Sequence, residues 1–258
     1  MIIVFDVGNT ETVIGLFDDD RLVSHWRIAT QSARTSDELG LLTLGLIREA
    51  RIDPDRIGDA VIASVVPPLT PAFTEMCENH LRARVITITG ASSLPIRLDV
   101  DEPLTVGADR IVNTLAARER FARDTIVVDL GTATSFDCIT ADGVFLGGVI
   151  APGIQTGAET LVRRTAKLPR VELERPARVI GRRTEACLHS GIFFSAVDAI
   201  DGIVDRIREE WERPDAFVVA TGGLAPLIAP HCDTVQAVEP FLTLYGLMFA
   251  FHHLRVPD

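Results

Sequence analysis

The sequence is poor in the residues that build disulfides and in long apolar runs. Its 258 residues include only 4 cysteines, which are widely scattered and form no C-x-x-C pair. Neither a structural zinc site nor a disulfide framework is therefore expected, and we predict four buried, reduced thiols. No window reaches the ~20 apolar residues that a membrane span requires, and no basic segment opens the chain. These absences predict a cytoplasmic protein with no membrane partner.

Basic residues are also few, since 25 Lys and Arg stand against 36 Asp and Glu, for a formal net charge of −11. Binding to a nucleic-acid backbone depends on clustered cations that release counterions, so we expect no nucleic-acid partner. The sequence contains neither G-x-x-x-x-G-K-[ST] nor G-x-G-x-x-G, which excludes the P-loop and Rossmann modes of phosphate binding. A nucleotide or an anionic substrate would need a site built in another way.

One local pattern occurs twice. An apolar strand leads into Asp, then Gly, then hydroxyl and amide side chains, first in MIIVFDVGNTETVIGLF and again in TIVVDLGTATSFDCI. Asp6 and Asp129, the acidic residues of the two copies, are 123 residues apart, nearly half the chain. Each copy is followed by further strands and then by helices that alternate with strands. This order predicts two copies of one mixed sheet covered by helices, with a boundary near residues 116–123.

Helix and strand signals fill in this plan. The TSDE sequence from Thr35 to Glu38 is a capping box ahead of a helix to about Ala50, and Thr70 with Pro71 predicts the N-cap and first residue of the next helix. In the second half, apolar periodicity predicts four helices, around residues 155–164, over 184–210, after Gly223 and from about Leu242. It also predicts the strands VFLGGVIAP, AFVVAT and TVQAV.

The two turns have the composition of phosphate-binding turns. Gly8 and Gly131 allow close approach of a ligand, and hydroxyl and amide side chains follow each of them. Asp6 and Asp129 come at strand ends, where a carboxylate can hold a cation directly or through water. Two facing domains with such turns would grip a polyphosphate. Alternatively, each turn alone is an ordinary hairpin turn, and the Gly-rich TGG sequence ending at Gly223 is weak evidence by itself.

A candidate catalytic segment, VGADRIVN, lies between the two turns. Asp109, beside a predicted helix start, could accept a proton from an alcohol, and Arg110 could pair with a substrate carboxylate. Phosphoryl transfer needs mainly alignment and charge stabilisation, so one positioned Asp and a metal suffice as chemical groups. The alternative is a polar helix start whose first-turn Asp is favoured by the helix dipole.

The whole set of motifs resembles a known family. Two such turns resemble the acetate kinase, sugar kinase, heat-shock chaperone and actin superfamily, in which two ribonuclease H-like domains clamp ATP. More specifically, the chain resembles type III pantothenate kinases in the order DVGNT, VGADRIVN, DLGTATSFD, GGVIAPG, TGGLAPLI and LTLYGL. The resemblance implies an α/β fold with two ribonuclease H-like domains in an actin-like ATPase clamp, at residues 1–117 and 118–258.

The resemblance also implies a function and residue roles. The function is ATP-dependent phosphorylation of the primary hydroxyl of pantothenate, the first step of coenzyme A biosynthesis, by a homodimer. Asp109 is expected to be the proton acceptor, Thr132 an ATP contact, Asp6 a residue near Mg²⁺, and Asp129 the ligand of an activating monovalent cation, potassium or ammonium. The ATP phosphate loop is expected to comprise Asp6, Val7, Gly8, Asn9, Thr10, Glu11, Thr12 and Val13. The pantothenate contacts are expected to be Gly107, Ala108, Asp109, Arg110 and, near the dimer interface, Thr184.

Three departures from the family pattern stand out. Ser135 replaces a common Thr and keeps the hydroxyl, and no Tyr occurs in the region from Leu98 to Val100, where the family often has one that lines the substrate pocket. Glu11 places a carboxylate close to the expected phosphates, which it would repel unless it points outward or shares a cation. The alternatives to a pantothenate kinase are a catalytically silent regulatory homologue, and another kinase or a polyphosphate hydrolase on the same fold.

Overall fold

The structure is a computed structural model that describes residues 1–255. The strands are β1 (Ile2–Val7), β2 (Glu11–Asp18), β3 (Arg21–Ala29), β4 (Asp59–Ser64), β5 (Arg84–Ile88), β6 (Arg97–Leu98), β7 (Thr125–Leu130), β8 (Ala133–Ile139), β9 (Val144–Pro152), β10 (Phe217–Thr221) and β11 (Ala237–Val238). The helices are α1 (Ser36–Glu49), α2 (Thr70–Met76), α3 (Ala108–Phe121), α4 (Ile154–Arg164), α5 (Thr184–Glu210), α6 (Ala225–Ile228) and α7 (Leu242–Leu254). These elements form two compact units: unit 1 comprises Met1–Arg120 and the segment that starts at Leu242, and unit 2 comprises Phe121–Phe241.

Unit 1 is built on a five-stranded mixed sheet with the strand order β3-β2-β1-β4-β5. The first three strands form an antiparallel meander, and β4 and β5 are parallel to β1. Side chains alternate across the sheet, so Ile3, Phe5 and Val7 pack on one face against α1 and α2 in a fully buried core. The predicted succession of a meander and then helix and strand is present.

The two helices of this face differ in how well their starts were predicted. The capping box is present, because the Thr35 side chain accepts from the Glu38 N–H and the Glu38 side chain accepts from the Thr35 N–H. The predicted N-cap role of Thr70 is wrong, because the helix already includes Thr70 and no side chain caps it. The continuation of α2 from Cys77 to Leu81 is π-helical.

The C-terminal helix α7 packs against the opposite face of the unit 1 sheet. Leu244 lies against β2, since a Cβ at Gly15 would be 3.0 Å from its Cδ1, and Tyr245 meets Phe17 edge to face. This packing places α7 with the first unit, whereas the sequence suggested a second domain that continues to residue 258. Because α7 directly follows the second domain in the sequence, it was assigned to that domain. Buried apolar contacts, however, decide where a terminal helix packs.

Unit 2 repeats the same sheet plan. Its strands are neighbours in the order β9-β8-β7-β10-β11, with an antiparallel meander of β7, β8 and β9, and β10 and β11 parallel to β7. Ile126, Val128 and Phe136 form a buried core with Phe193 and Val197 of the long helix α5. The predicted bounds of α5 and β9 are confirmed, whereas the predicted strand TVQAV is reduced to Ala237–Val238.

Two expectations from the composition need correction. Cys77, Cys138 and Cys232 are buried free thiols as predicted, but Cys187 is exposed. Helix α5 is long and apolar enough to cross a membrane by length and composition alone, and 33% of its apolar stretch is buried. Core helices of globular proteins pass the same test, so this observation does not assign a membrane span.

Candidate active site

The first predicted phosphate turn connects β1 to β2 in unit 1. The N–H of Gly8 donates to the carbonyl oxygen of Glu11 at 3.1 Å and closes the turn. The N–H of Thr30, just beyond β3, donates to the carbonyl oxygen of Thr10 at 2.9 Å. The hydroxyls of Thr12 and Thr30 lie 2.9 Å apart. These bonds fix the shape of the turn and bind the carbonyl oxygens of Thr10 and Glu11 to donors of the protein.

Glu11, which follows this turn, forms an ion pair with Arg27 of β3. Its Oε2 lies 3.3 Å from Nη1 of Arg27, and both side chains are about half exposed. In the β2–β3 register, Val13 is opposite Arg27 and Glu11 is opposite Ala29, so the two charged side chains lie on one face of the sheet. Glu11 was expected to repel a phosphate unless its side chain points outward or shares a cation. In the structure it shares a cation, the guanidinium of Arg27.

The second predicted turn connects β7 to β8 in unit 2 and meets two other segments. The N–H of Gly131 donates to the carbonyl oxygen of Ala133 at 3.0 Å, and the Thr156 hydroxyl donates to the carbonyl oxygen of Thr132 at 2.8 Å. Gly153 packs so closely on this turn that an added Cβ would collide with the carbonyl oxygen of Thr132. The GGVIAPG segment therefore supports the second turn.

The TGG sequence meets the same turn through Gly222. This residue has φ of +88°, and a Cβ there would be 2.5 Å from Oδ1 of Asp129 and 2.8 Å from the backbone of Leu130. Only glycine fits both the left-handed backbone and the close approach. Asp129 thus lies between the second turn and the TGG segment, as expected if both contribute to one site in unit 2.

Asp109 lies in the first turn of α3, at the same edge of the unit 1 sheet as the Gly8 turn. A Cβ at Gly107 would be 2.5 Å from Oδ1 of Asp109 and 3.4 Å from Cγ1 of Val65. The N–H of Val65, which follows β4, donates to the carbonyl oxygen of Val7 at 3.0 Å, directly before the turn. Since β1 and β4 are parallel, their carboxyl ends meet at this edge. The resemblance predicts Asp109 as the proton acceptor, and in unit 1 this residue lies at the same sheet edge as the Gly8 turn.

The environment of Asp109 suits a proton acceptor. Burial raises the pKa of its carboxyl above the ordinary value, and the Arg110 N–H and guanidinium partly oppose this by stabilising the charged form. The Arg110 N–H donates to Oδ1 of Asp109 at 2.8 Å, which fixes the carboxylate against its own helix start. A carboxylate with a raised pKa is a stronger base than an ordinary surface Asp.

Comparison with known proteins identifies the family. A sequence model of the type III pantothenate kinase family matches residues 2–206. A type III pantothenate kinase from Desulfosudis oleivorans is 47% identical over 248 residues, covering 96% of this chain and 97% of the relative. Another from Exiguobacterium sibiricum is 43% identical over 251 residues, covering 97% of this chain and 98% of the relative.

The chain belongs to the type III pantothenate kinase family. A solved structure of a conserved Baf family protein from Campylobacter jejuni is similar in fold, with a TM-score of 0.61, 17% sequence identity, and coverage of 97% of this chain and 98% of that one. Together with the two matching sheets, the structural likenesses confirm the predicted fold class, an actin-like ATPase fold with two units of mixed α/β structure.

In this member of the family, Thr184 is the first residue of α5 and is exposed. One turn further along, Cys187 and Leu188 line a cavity of about 730 Å³ in unit 2, which Gly153 and Ile154 also line. The lining is predominantly apolar and contains no charged side chain, so the cavity does not have the chemistry of a phosphate site. The apolar residues Ile150, Leu161, Val179 and Ile180 of the same unit are exposed.

Several residues that shape the two turns lie outside every motif that the sequence offers. Arg27 and Thr30 lie at the end of a strand that had no functional motif, and Thr156 lies just beyond the GGVIAPG motif. Their partners in the turns are 16 to 24 residues away along the chain. A third strand was expected in both halves, and its register with the second strand would have placed Arg27 beside Glu11. The bulge in β3 shifts that register by one residue, so the pairing could not be read from the sequence.

Proposed function

We propose that this protein transfers the γ-phosphoryl group of ATP to the primary hydroxyl of pantothenate, giving 4'-phosphopantothenate in the first step of coenzyme A biosynthesis. Membership of the type III pantothenate kinase family supports the substrate. The single structural observation that supports the chemistry is the position of Asp109, a carboxylate with a raised pKa at the sheet edge that carries the Gly8 turn.

In this proposal Asp109 accepts the proton of the pantothenate hydroxyl as that oxygen attacks the γ-phosphorus. The Arg110 N–H keeps the carboxylate in place, and the Arg110 guanidinium would bind the carboxylate of pantothenate. Gly107 and Ala108 leave room beside Asp109, because neither side chain extends beyond a Cβ. Phosphoryl transfer requires little more from the protein than this alignment and charge stabilisation.

ATP binding is assigned to the phosphate loop from Asp6 to Val13 and to Thr132. The donors are the backbone N–H groups of the loop and the hydroxyls of Thr10 and Thr132, whereas Thr12 is buried and its hydroxyl bonds to that of Thr30. Residues 1–255 contain no group of three or more His, Cys, Asp or Glu side chains arranged to hold a metal. A lone carboxylate fits Mg²⁺, which is usually held by one or two carboxylates together with waters and substrate phosphates. Asp6 would hold Mg²⁺, which offsets phosphate charge when bound.

Asp129 would hold the activating monovalent cation, potassium or ammonium. Its carboxylate lies against the Gly222 backbone and beside Gly131, so carboxylate and carbonyl oxygens are close together. Such hard oxygen donors suit an alkali cation better than a soft metal. Replacement of Gly222 would therefore disturb this site as well as the fold.

The family resemblance also favours a cytoplasmic homodimer. In support, unit 2 exposes Ile150 by 65%, Val179 by 66% and Ile180 by 82%, and an interface between subunits would cover such apolar side chains. Thr184 begins the helix beside this surface, as expected for a pantothenate contact near an interface between subunits. Light scattering coupled to gel filtration would give the mass of a dimer, and a monomer would contradict this part of the proposal.

The test is an acceptor-dependent assay. The protein is incubated with MgATP and potassium, and ADP release and the phosphorylated product are followed with pantothenate, with a panel of sugars and with no acceptor. Pantothenate-dependent ADP release with formation of 4'-phosphopantothenate is expected, and sodium in place of potassium should lower the rate. ADP release without an acceptor would indicate a hydrolase, and ADP release that depends on a sugar would indicate another kinase. No ADP release in any mixture would indicate a regulatory homologue.

A further inference from the structure

The first residue of β2 places a negative charge beside the proposed phosphate loop. Glu11 directly follows the Gly8 turn, whose hydrogen bond from the Gly8 N–H ends on the carbonyl oxygen of Glu11 itself. Its side chain is half exposed and pairs with Arg27 of β3, with Nη1 and Oε2 3.3 Å apart. A carboxylate beside a phosphate-binding turn repels the phosphates, so this charge needs a local explanation in this chain.

The end of β3 supports the turn in two further ways. Thr30 donates its N–H to the carbonyl oxygen of Thr10, and its hydroxyl bonds to that of Thr12. Arg27 lies one strand repeat before Ala29 on the face that carries Glu11. The third strand is therefore the structural neighbour of the phosphate loop, and Arg27 is the cation that this neighbour supplies.

We propose that Arg27 is a positioning residue for the nucleotide: it neutralises Glu11 and holds the Glu11 carboxylate against β3, out of the path of the ATP phosphates. This inference rests on the proposed function, because it takes the Gly8 turn as the phosphate loop. An exposed ion pair of this kind contributes little to folding. Its effect on a multiply charged ligand is larger, since an unpaired carboxylate repels every phosphate charge near it.

The consequence is a defect in nucleotide binding that depends on Glu11. A single carboxylate within several ångström of a doubly charged MgATP complex, in a solvent-exposed setting, weakens binding by about 5-fold to about 30-fold. The Arg27→Ala variant should therefore raise the KM for ATP by this factor and leave kcat close to that of the wild type. Because the effect is electrostatic between exposed groups, it should shrink as the salt concentration rises from ~0.05 M to ~0.5 M.

The decisive comparison is between Arg27→Ala and the double variant Arg27→Ala, Glu11→Gln. If Arg27 acts by neutralising Glu11, removing the carboxylate restores most of the affinity for ATP. If Arg27 instead binds a phosphate itself, the double variant stays as defective as the single one, and the proposal is overturned. Arg27→Lys, which keeps the charge, should retain most of the affinity.

A matched control comes from an ion pair at the opposite edge of the same sheet. Nε of Arg84 lies 2.8 Å from Oδ1 of Asp59, and these residues begin β5 and β4. Arg84→Ala removes a cation from unit 1 without approaching the Gly8 turn, so the KM for ATP should stay within about 2-fold of wild type. An equal increase for Arg84→Ala and Arg27→Ala would show a general loss of positive charge and would contradict the specific role.

Direct binding of a fluorescent ATP analogue separates this inference from the proposed function. If the wild type binds the analogue but does not phosphorylate pantothenate, the substrate assignment fails, and the binding data alone still decide the role of Arg27. If Arg27→Ala binds the analogue as tightly as the wild type at low salt, the inference fails even when the kinase activity is confirmed. Thermal unfolding of each variant verifies that the comparison is made between folded proteins.

Discussion

Replacement of Asp109 by Asn separates its catalytic role from its structural one. Asn has the same shape, and its Oδ1 can still accept the Arg110 N–H that reaches Asp109 Oδ1 at 2.8 Å. The substitution therefore leaves the start of α3 in place and removes the ability to accept a proton. General-base catalysis contributes ~10²-fold to 10⁴-fold to rate, so kcat should fall by about this factor.

The same substitution should not reduce stability at neutral pH. Burial raises the pKa of Asp109 in the folded protein, so the folded state binds a proton more readily than the unfolded chain does. Such a group stabilises the fold below its unfolded pKa, and that contribution is lost as the pH rises through the raised folded pKa. The charged Asp109 is thus a cost at neutral pH that Asn does not incur. Each unit of pKa difference corresponds to ~1.36 kcal/mol.

Steady-state kinetics and urea unfolding at two pH values test both halves of this prediction. At neutral pH, Asp109→Asn should have a low kcat and a free energy of unfolding equal to or above that of the wild type. The difference in unfolding free energy should shrink towards pH 4, because the raised pKa of the folded wild-type carboxyl favours its protonation as the pH falls. An ordinary Asp titrates around pH 4, and the acid limb of the wild-type kcat/KM profile should lie at a higher pH than this. An Asn variant that keeps kcat within about 3-fold of wild type would refute the proton-acceptor role.

Two glycine positions give predictions that depend on packing. Gly222→Ala would put a side chain on a left-handed backbone at φ +88°, with its Cβ 2.5 Å from Asp129 Oδ1. We expect the free energy of unfolding, measured in urea, to fall by about 2 kcal/mol or more. We also expect the rate to respond less to potassium when rates in potassium and in sodium are compared. An unaltered potassium response would argue against a cation site at Asp129. Gly246→Ala would press a methyl group into the carbonyl oxygen of Val112, where α7 crosses α3, and should cost at least about 2 kcal/mol. Gly45→Ala, in a helix position with no atom near the new Cβ, should instead stabilise the protein by about 0.5 to 1 kcal/mol, and equal effects of the two helical substitutions would contradict the packing argument.

The repeated sheet plan could be predicted because it depends on local patterns. Apolar strands, the Asp-Gly turns and the capping box at Thr35 are all signals within about ten residues, and the structure contains each of them. Helix α5 was predicted with its bounds because it has a long apolar periodicity. Thr70 was predicted as a cap on composition alone, but the preceding helical turn at Pro67–Leu69 continues into α2 and leaves no cap position there.

The location of the last helix could not be predicted from local signals. Helix α7 is apolar on nearly all sides, with Leu242, Leu244 and Leu247 fully buried, so its sequence shows that it is covered but not by what. The deciding contacts are with residues more than 100 positions earlier, such as the hydrogen bond from the Thr243 hydroxyl to Oδ1 of Asn113 at 2.9 Å. A buried polar pair of this kind fixes one arrangement among several that would bury the same apolar area.

The two turns also show why the site needed more than its motifs. In unit 1 the residue just beyond the third strand, Thr30, donates its N–H to the Thr10 carbonyl oxygen, and in unit 2 the Thr156 hydroxyl, four residues beyond the third strand, donates to the Thr132 carbonyl oxygen. An anion is attracted by N–H and O–H donors and repelled by carbonyl oxygens. For the phosphate sites that we propose, holding these two carbonyl oxygens on protein donors therefore favours binding at the donor-rich side of each turn. The motif supplies the donors, but the third strand and the residues after it orient them. In unit 1 the third strand also contains Arg27, which forms the ion pair with Glu11.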